Sequence, residues 1–358
     1  MSKVASFEIR YTQYLGHNGE IIQELPEFAR DPADLIPQYR AMVLTRAFDS
    51  KAIALQRTGK LGTYASSLGQ EAIGVALGTV MQPEDVLLTS YREYGAQFLR
   101  GVSMTEILLY WGGDERGMDF AAAREDFPIT VPVGSHACHA VGVATAFKLR
   151  QQARVAVCVL GDGATSKGDF YEAINLAGAW RLPTVFVINN NQWAISVPRS
   201  AQTGAETLAQ KAIAAGFAGE QVDGNDIIAL QEVIARTMNK ARLGGGPTLI
   251  EAITYRLCDH TTADDASRYR SAEEVERAKD KEPIRRLHRF LARNKVWHSA
   301  DQEELVAECS AKVDAAVEAY LKTPPQPATA MFDYLYARLP SALLEQREEV
   351  RSRGVSDA

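Results

Sequence analysis

The chain has 358 residues, 46% of them hydrophobic and 23% charged, with a formal net charge of −6 at pH 7. This length suits one large domain or two ordinary ones, and the composition is that of a globular protein. The negative charge argues against a nucleic-acid-binding surface, and no apolar run reaches the roughly 18 residues of a membrane span. Residues 1–20 lack the apolar core of a signal peptide, and the four cysteines lack the spacing of a zinc site or a disulfide framework. We therefore expect a cytoplasmic protein without nucleic-acid or membrane partners.

Apolar periodicity and turn residues predict the secondary structure in chain order. Helices are expected at 33–57, 69–80, 134–152, 168–181, 206–215, 225–243, 271–294 and 301–321. Strands are expected at 86–88, 155–160, 184–188 and 248–254. Residues 1–32 are predicted to form an irregular arm, and residues 349–358 are expected to be frayed.

The alternation of strands and helices is typical of an α/β domain with a parallel sheet and helices on both faces. Beyond residue 270 the strand pattern stops, and the sequence becomes charged and helical. We therefore expect an arm at 1–32, an α/β domain at 33–270, and a helical extension at 271–358 that belongs to the same domain or packs on it.

A glycine turn follows the predicted strand 155–160. The strand leads into Gly161-Asp162-Gly163, and a helix is predicted to begin near Gly168. Glycine lets the backbone turn sharply and approach a ligand closely, and a helix N-terminus attracts phosphate groups. The turn is therefore a candidate phosphate site.

Two common phosphate motifs do not fit this turn. Gly163 and Gly168 match the glycines of a Walker A loop, but Asp169 occupies the lysine position. Ser166 takes the place of the third glycine in the dinucleotide-binding fingerprint, and the next strand ends in asparagines instead of an acidic residue. Both the nucleoside-triphosphate and the dinucleotide interpretations are disfavoured.

Asp162 is the informative residue of the turn, because a carboxylate beside a phosphate repels it unless a cation lies between them. Mg²⁺ prefers oxygen ligands and usually takes one or two side chains together with phosphate oxygens. A second ligand is expected at the end of the next strand, because ligands gather at the carboxyl ends of parallel strands. Three asparagines follow strand 184–188, and Asn191 lies 29 positions after Asp162 (191 − 162). The sequence therefore predicts a magnesium site there, completed by a nearby backbone carbonyl.

The glycine turn and the asparagine run together resemble the signature of thiamine-diphosphate enzymes. Segments 161–175 and 190–198 are similar to the α subunit of the decarboxylating component of pyruvate and branched-chain 2-oxo acid dehydrogenases. The likeness extends over about 35–346. It implies a thiamine-diphosphate-binding α/β fold with helical N- and C-terminal extensions, and it implies thiamine diphosphate and Mg²⁺ as cofactors.

The resemblance also implies which residues form the site. Asp162, Asn191 and the carbonyl of Trp193 would bind Mg²⁺, while Gly163 and Ala164 would contact the diphosphate through the backbone. The residues expected at the cofactor are Tyr91, Arg92, Val131, Val133, Asp162, Gly163, Ala164, Asn191, Trp193, Arg256 and His260.

Residues 256–270 resemble the active-site loop of this family. His260 corresponds to a loop histidine that contacts the cofactor phosphates, and it is the expected catalytic residue. The loop is phosphorylated in mitochondrial enzymes, but we do not expect phosphorylation of Thr261 or Ser267.

Two histidines depart from the family pattern. His136 stands where the family usually has Gln, and His139 stands where it has a less polar residue. In some members this loop holds K⁺ through that Gln, so His136 argues against a potassium site although Thr130 and Ser135 are retained. A third ligand for a metal shared by the two histidines is not evident in the sequence.

The resemblance implies that the chain supplies only part of an active site. In the family, a glutamate that activates the aminopyrimidine ring and a substrate-handling histidine come from a separate β subunit. The expected assembly is an α2β2 heterotetramer that acts on a 2-oxo acid and passes the acyl group to a lipoyl-bearing acyltransferase core.

Segments 69–72 and 339–346 favour pyruvate as the substrate. Segments 222–226 and 264–271, with Pro132, favour the alternative of a branched-chain 2-oxo acid. An acetoin dehydrogenase α subunit is a more distant alternative. Outside the family, the failed glycine fingerprint disfavours a nicotinamide-dependent oxidoreductase, and a non-catalytic assembly subunit would require a lost metal site.

Overall fold

The protein is described by a computed structural model that covers residues 1–333 and 335–354. Its strands are β1 (Tyr11–Thr12), β2 (Val86–Leu88), β3 (Ala156–Gly161), β4 (Thr184–Asn190), β5 (Trp193–Ala194), β6 (Val197–Pro198), β7 (Ala218–Asp223) and β8 (Thr248–Ile253). Six of them form a parallel sheet in the order β1-β7-β8-β4-β3-β2. Strands β5 and β6 form a separate antiparallel hairpin.

The α-helices surround this sheet. They are α1 (Ile36–Arg57), α2 (Glu71–Val80), α3 (Tyr94–Leu99), α4 (Met104–Trp111), α5 (His136–Leu149), α6 (Gly168–Ala179), α7 (Arg199–Gln202), α8 (Lys211–Ala214), α9 (Ile227–Arg242), α10 (Ala272–Lys279), α11 (Pro283–Arg293), α12 (Ser299–Lys322), α13 (Ala330–Asp333) and α14 (Ser341–Gly354). Within the part of the chain that is described, no helix is both long and apolar enough to cross a membrane.

Successive residues of the central strands enter different cores, as the two-residue period of a strand requires. Val157 and Val187 belong to a core with apolar side chains of α1, α2, α9 and α11. Cys158 and Phe186 belong to a second core with side chains of α5 and α6. Helices therefore cover both faces of the sheet, which confirms the predicted fold class.

The N-terminal arm and helix α12 both pack on the α/β core. Val313 of α12 shares a third core with Phe48 of α1 and Leu108 of α4. In the arm, the backbone N–H groups of Tyr14 and Leu15 donate to the carboxylate of Asp226 at 2.6 and 2.7 Å. Strand β1 of the arm pairs with β7, so the expectation of a wholly irregular arm is wrong.

Other elements also differ from the prediction. Strand β7 and helices α3 and α4 were not predicted, and the helix expected at 206–215 is reduced to the single turn of α8. The helix expected at 271–294 is two helices, because Pro283 begins α11 and Glu282 caps it through hydrogen bonds from two backbone N–H groups. Residues 349–354 are helical in α14, so the expectation of fraying is wrong there. Residues 355–358 lie outside the described part.

Candidate active site

The candidate site lies at the carboxyl ends of β3 and β4. Gly161 is in register with Asn189, so the glycine turn after β3 and the asparagine run of β4 are neighbours. They border a cavity of about 180 Å³. Its wall consists of Ser90, Tyr91, Arg92, Thr130, Val133, Gly134, His136, Gly161, Asp162, Gly163, Ala164, Asn189, Asn191, Trp193, Ala194, Ile195 and His260. Of the residues predicted at the cofactor, Val131 and Arg256 lie outside this wall and the others belong to it.

Asp162 begins the short 3-10 helix Asp162–Ser166 and is only 2% exposed. Its Oδ2 accepts a hydrogen bond of 2.6 Å from Nε2 of Gln202. Burial raises the pKa of the Asp162 carboxyl because the charged form loses hydration, while Gln202 and the more distant Arg256 favour the charged form. A cation beside Asp162 would offset the cost of burying this charge.

Gly163 permits a close approach between the glycine turn and the β5–β6 hairpin. A Cβ at Gly163 would lie 2.6 Å from the Cβ of Ala194, much closer than real carbon contacts. Glycine at this position therefore lets Trp193 and Ala194 of the hairpin complete the cavity wall beside Asp162.

Asn191 and Trp193 place further oxygens at the cavity. The Oδ1 of Asn191 accepts a hydrogen bond of 3.2 Å from the backbone N–H of Trp193. The carbonyl oxygen of Trp193 lies 3.4 Å from Nη1 of Arg256. Carboxylate, amide and carbonyl oxygens are the hard ligands that suit Mg²⁺. Among the described residues no three His, Cys, Asp or Glu are grouped for a metal ion, so a metal here would depend on the single carboxylate of Asp162 with amide and carbonyl oxygens.

Arg92 and His260 form a side of the wall with hydrogen-bond donors. Arg92 donates to the carbonyl oxygens of Ser66 and of His260, the latter at 2.7 Å, and its Nη2 lies 3.2 Å from Nδ1 of His260. Burial, together with the positive charges of Arg92 and Arg256, lowers the pKa of His260 to about 4. Because a guanidinium can only donate, Nδ1 is the acceptor and Nε2 carries the proton. His260 is therefore a neutral donor through Nε2.

Arg256 and Val131 are placed differently from the residues of the wall. Arg256 is fully buried and donates to the carbonyl of Ile195 and to the hydroxyl of Tyr269, both at 2.8 Å. It thereby ties the 256–270 loop to the hairpin. Val131 is 49% exposed on the surface beside the cavity.

Comparisons with known proteins identify the family of this chain. The family described as dehydrogenase E1 component matches residues 39–329. The chain belongs to the dehydrogenase E1 component family. Among its relatives, the pyruvate dehydrogenase E1 component subunit alpha of Staphylococcus aureus is 39% identical over 339 residues, which cover 94% of this chain and 91% of the relative. The 3-methyl-2-oxobutanoate dehydrogenase subunit alpha of Mycobacterium tuberculosis is 40% identical over 314 residues, which cover 88% of this chain and 86% of the relative.

These findings confirm the resemblance seen in the sequence. This E1 chain is an α subunit of a 2-oxo acid dehydrogenase, and its family is one of thiamine-diphosphate-dependent oxidoreductases. Identities of 39% and 40% to the two types do not distinguish pyruvate from branched-chain substrates.

The site of this E1 chain includes residues that sequence reasoning did not assign to it. His136 is 1% exposed, and its Nε2 lies 2.7 Å from the carbonyl of Val159, so Nε2 carries the proton, while Nδ1 has no hydrogen-bond partner among the described residues. Burial lowers the pKa of His136. His139 is exposed and packs against Phe127 with ring centroids 5.7 Å apart, whereas His136 is buried.

Two glutamines next to the predicted metal ligands were also missed. Gln202 contacts Asp162, and Gln70 contacts Asn191 from behind the cavity wall. The available signal for Gln70 was its place in the 69–72 segment, which resembles a family segment near the active-site entrance.

Proposed function

We propose that this E1 chain is the α subunit of a pyruvate dehydrogenase that binds Mg²⁺ and thiamine diphosphate, decarboxylates pyruvate and passes the acetyl group to lipoyl groups of an acyltransferase core. The observation that carries this proposal is that Asp162, Asn191, Arg92 and His260 share one cavity wall. Carboxylate and amide oxygens suit the metal, and guanidinium and imidazole N–H groups suit the diphosphate. The name of the Staphylococcus aureus relative supports pyruvate as the substrate.

The metal would be held by the carboxylate of Asp162, the amide oxygen of Asn191 and the carbonyl of Trp193. The backbone of Gly163 and Ala164, at the start of the 3-10 helix after β3, would contact the diphosphate. When bound, thiamine diphosphate supplies the carbanion chemistry that takes up the electrons released with CO₂.

The remaining wall residues would hold the cofactor from the loop side. Arg92 and the Nε2–H of His260 would donate to phosphate oxygens, with Tyr91 beside them. The backbone groups of Val131 and Val133 would hold the aminopyrimidine ring. Neutral His260 can donate a hydrogen bond without adding a third charge next to two guanidinium groups, and this is the catalytic role that we propose for it.

A β subunit belongs to this proposal because the described wall contains a single acid. Asp162 is the acidic residue of that wall, and as a metal ligand it cannot also serve as a proton-transferring group. The exposed side chains of Val133 (44%) and Ile195 (54%) in the wall suit contact with another protein. We propose an α2β2 heterotetramer in which the β subunit supplies the missing acid.

A branched-chain 2-oxo acid is the second candidate substrate. The observation that favours it is the Mycobacterium tuberculosis relative, whose name includes 3-methyl-2-oxobutanoate and whose identity to this chain is 40%.

Co-expression with the β subunit tests this proposal. Decarboxylation of pyruvate and of 3-methyl-2-oxobutanoate would be measured with an artificial electron acceptor. We expect kcat/KM for pyruvate to exceed that for 3-methyl-2-oxobutanoate by a factor of about ten or more. The reverse preference would assign the chain to the branched-chain type. A complex that decarboxylates neither acid would contradict the proposed function.

A further inference from the structure

A buried glutamine lies directly behind the asparagine run. The Oε1 of Gln70 accepts hydrogen bonds from the side-chain NH₂ groups of both Asn189 (2.9 Å) and Asn191 (3.0 Å). Gln70 is 2% exposed and lies outside the cavity wall, whereas both asparagines belong to that wall. Gln70 therefore reaches the cavity only through the two asparagines.

We propose that Gln70 is a positioning residue that fixes the side-chain amide of Asn191 with its oxygen available to Mg²⁺. This inference rests on the proposed function, because it assumes that Asn191 is a metal ligand. An asparagine amide offers an oxygen in one orientation and an NH₂ group after a rotation of 180°, and only the oxygen can bind a cation. Metal ligands are commonly oriented by such hydrogen-bond partners behind them.

The contacts of Asn191 favour one orientation. Rotation of its amide would bring Oδ1 against the Oε1 of Gln70, and two acceptors repel each other. The same rotation would turn the NH₂ group towards the backbone N–H of Trp193, which now donates to Oδ1 at 3.2 Å. Gln70 and the Trp193 backbone therefore both hold the oxygen of Asn191 on the side away from Gln70, with a lone pair free for a cation.

The backbone of Gln70 is held by hydrogen bonds, whereas its side-chain Nε2 has no hydrogen-bond partner among the described residues. Rotation of the Gln70 amide would put its NH₂ group against the NH₂ groups of two asparagines. Next to it, Glu71 accepts hydrogen bonds from the backbone N–H of Gly69 at 3.0 Å and from Nε of Arg46 at 2.8 Å. The backbone N–H of Gln70 donates to the carbonyl of Ser67 at 2.8 Å. The backbone that carries this acceptor is therefore fixed at the start of α2.

The test is calorimetric titration of the complete chain, co-purified with its β subunit, with Mg²⁺ in the presence of thiamine diphosphate. Gln70→Met removes the acceptor at similar length, and we expect it to weaken Mg²⁺ binding by about 10- to 100-fold. Gln70→Glu keeps an acceptor oxygen and is expected to restore affinity close to that of the original chain. Gln97→Met is the matched control, because Gln97 is also 2% exposed but belongs to α3 and contacts neither asparagine.

A double-mutant cycle separates orientation from general stability. In the Asn191→Asp chain both side-chain oxygens are equivalent, so orientation no longer matters. We expect Gln70→Met to weaken Mg²⁺ binding much less in that chain. An equal loss in both chains, or no loss in either, would overturn the role of Gln70. If Gln70→Met does not fold, Gln70→Ser, which leaves room for water, is tested in both chains with the same criteria.

Different results would contradict the proposed function and the positioning role of Gln70. If the unsubstituted complex shows no Mg²⁺-dependent cofactor binding, the proposed function is contradicted, and with it the role of Gln70. If the unsubstituted complex binds both and the Gln70 variants bind equally well, only the positioning role is overturned.

Discussion

Asp162 is a buried acid whose charge is poorly balanced within the chain. Its carboxylate is 2% exposed and accepts a hydrogen bond from Gln202. Because burial raises its pKa, a cation that binds there competes with the proton, and metal binding is linked to proton release. A carboxylate in this place costs stability in the metal-free chain and contributes binding energy in the metal-bound one.

Asp162→Ala is expected to abolish Mg²⁺-dependent binding of thiamine diphosphate while the fold is retained, because the change removes a buried charge. Calorimetry measures the binding and circular dichroism measures the fold. Asp169→Ala serves as the control, since Asp169 is half exposed in α6 and pairs with Lys167 at 3.1 Å. Unchanged affinity in Asp162→Ala would refute the metal assignment.

Gly163→Ala is expected to destabilise the chain by about 1–3 kcal/mol, because the added methyl group would lie 2.6 Å from the Cβ of Ala194. Denaturant unfolding measures the loss, and the additional change Ala194→Gly should recover part of it. Gly168→Ala is the matched control, since a Cβ there meets nothing within 4 Å. If the Gly163→Ala chain has the same free energy of unfolding as the original, the β5–β6 hairpin can move to accommodate the methyl group, and the prediction is wrong.

The sequence predicted some contacts of the site and not others. Asp162 and Asn191 could be paired because strand ends meet at one edge of a parallel sheet. Gln70 lies 119 and 121 positions from the two asparagines that it contacts, and no spacing rule connects them. The hydrogen-bond partners of Arg256 could not be predicted either. Its side chain is long enough to reach several carbonyl groups, and the sequence does not show which of them lie nearby in the folded chain.

At the level of elements, strands were predictable where their sequences are apolar. Strands β3 and β4 are buried almost throughout and have the apolar runs of central parallel strands. Strand β7 contains Glu220 and Gln221, so its sequence gives no strand signal, yet it pairs along its whole length with β8. Its strand conformation comes from this pairing and not from local preference.

Three helices meet at a buried cluster of charges. Arg46 of α1 donates to Glu71 of α2 at 2.8 Å and to Glu282, the cap of α11, at 2.6 Å. Burial raises the pKa of Glu71 to about 7, with Glu282 acting in the same direction and Arg46 opposing it. Because two acids share one arginine at this buried junction, Glu71 binds its proton more tightly than an ordinary glutamate does.

This junction predicts a pH dependence of stability. Because the pKa of Glu71 is about 7 in the folded chain against an ordinary value of 4.5, the folded chain holds its proton more tightly than the unfolded chain. The protonated Glu71 therefore contributes to the free energy of unfolding fully below pH 4.5. This contribution is lost as the pH rises through 7, and the loss is roughly 3 kcal/mol at most.

Denaturant unfolding between pH 4.5 and 8 checks this expectation. In Glu71→Gln the free energy of unfolding should change less with pH than in the original chain. Glu303→Gln, at an exposed position of α12, should follow the original chain. Parallel curves for Glu71→Gln and the original chain would show that Glu71 is not the group responsible.

At the level of the whole molecule, the described cavity has one acid and a partly apolar, exposed wall. Helices α11 and α12 pack on α1, and α12 also packs on α4. Helix α10 lies nearer to the cavity, because its Glu274 accepts a hydrogen bond of 3.4 Å from the indole N–H of Trp193 in the wall. The described part of the chain thus leaves the cavity accessible. This arrangement is expected of a subunit that functions against a partner.

The isolated chain is accordingly expected to lack decarboxylase turnover, because no second acid is available in the cavity wall. Release of CO₂ from pyruvate, measured with an artificial electron acceptor, should require added β subunit. The same preparation with β subunit is the positive control. Turnover at an enzyme-like rate by the purified chain alone would refute this prediction.

The register between β3 and β4 is protected by the sizes of buried side chains. Both faces of these strands are apolar from Ala156 to Leu160 and from Val185 to Ile188, so the alternation of polar and apolar residues does not fix the register there. A slip of one residue would, however, move Phe186 from the core shared with α5 and α6 to the face that Val157 and Val187 occupy, where a larger ring would not fit. A slip would also shift Asn191 by about 3.3 Å along the strand and reverse its side chain. The spacing between Asp162 and Asn191 is thus maintained by hydrophobic volumes that never touch the cavity.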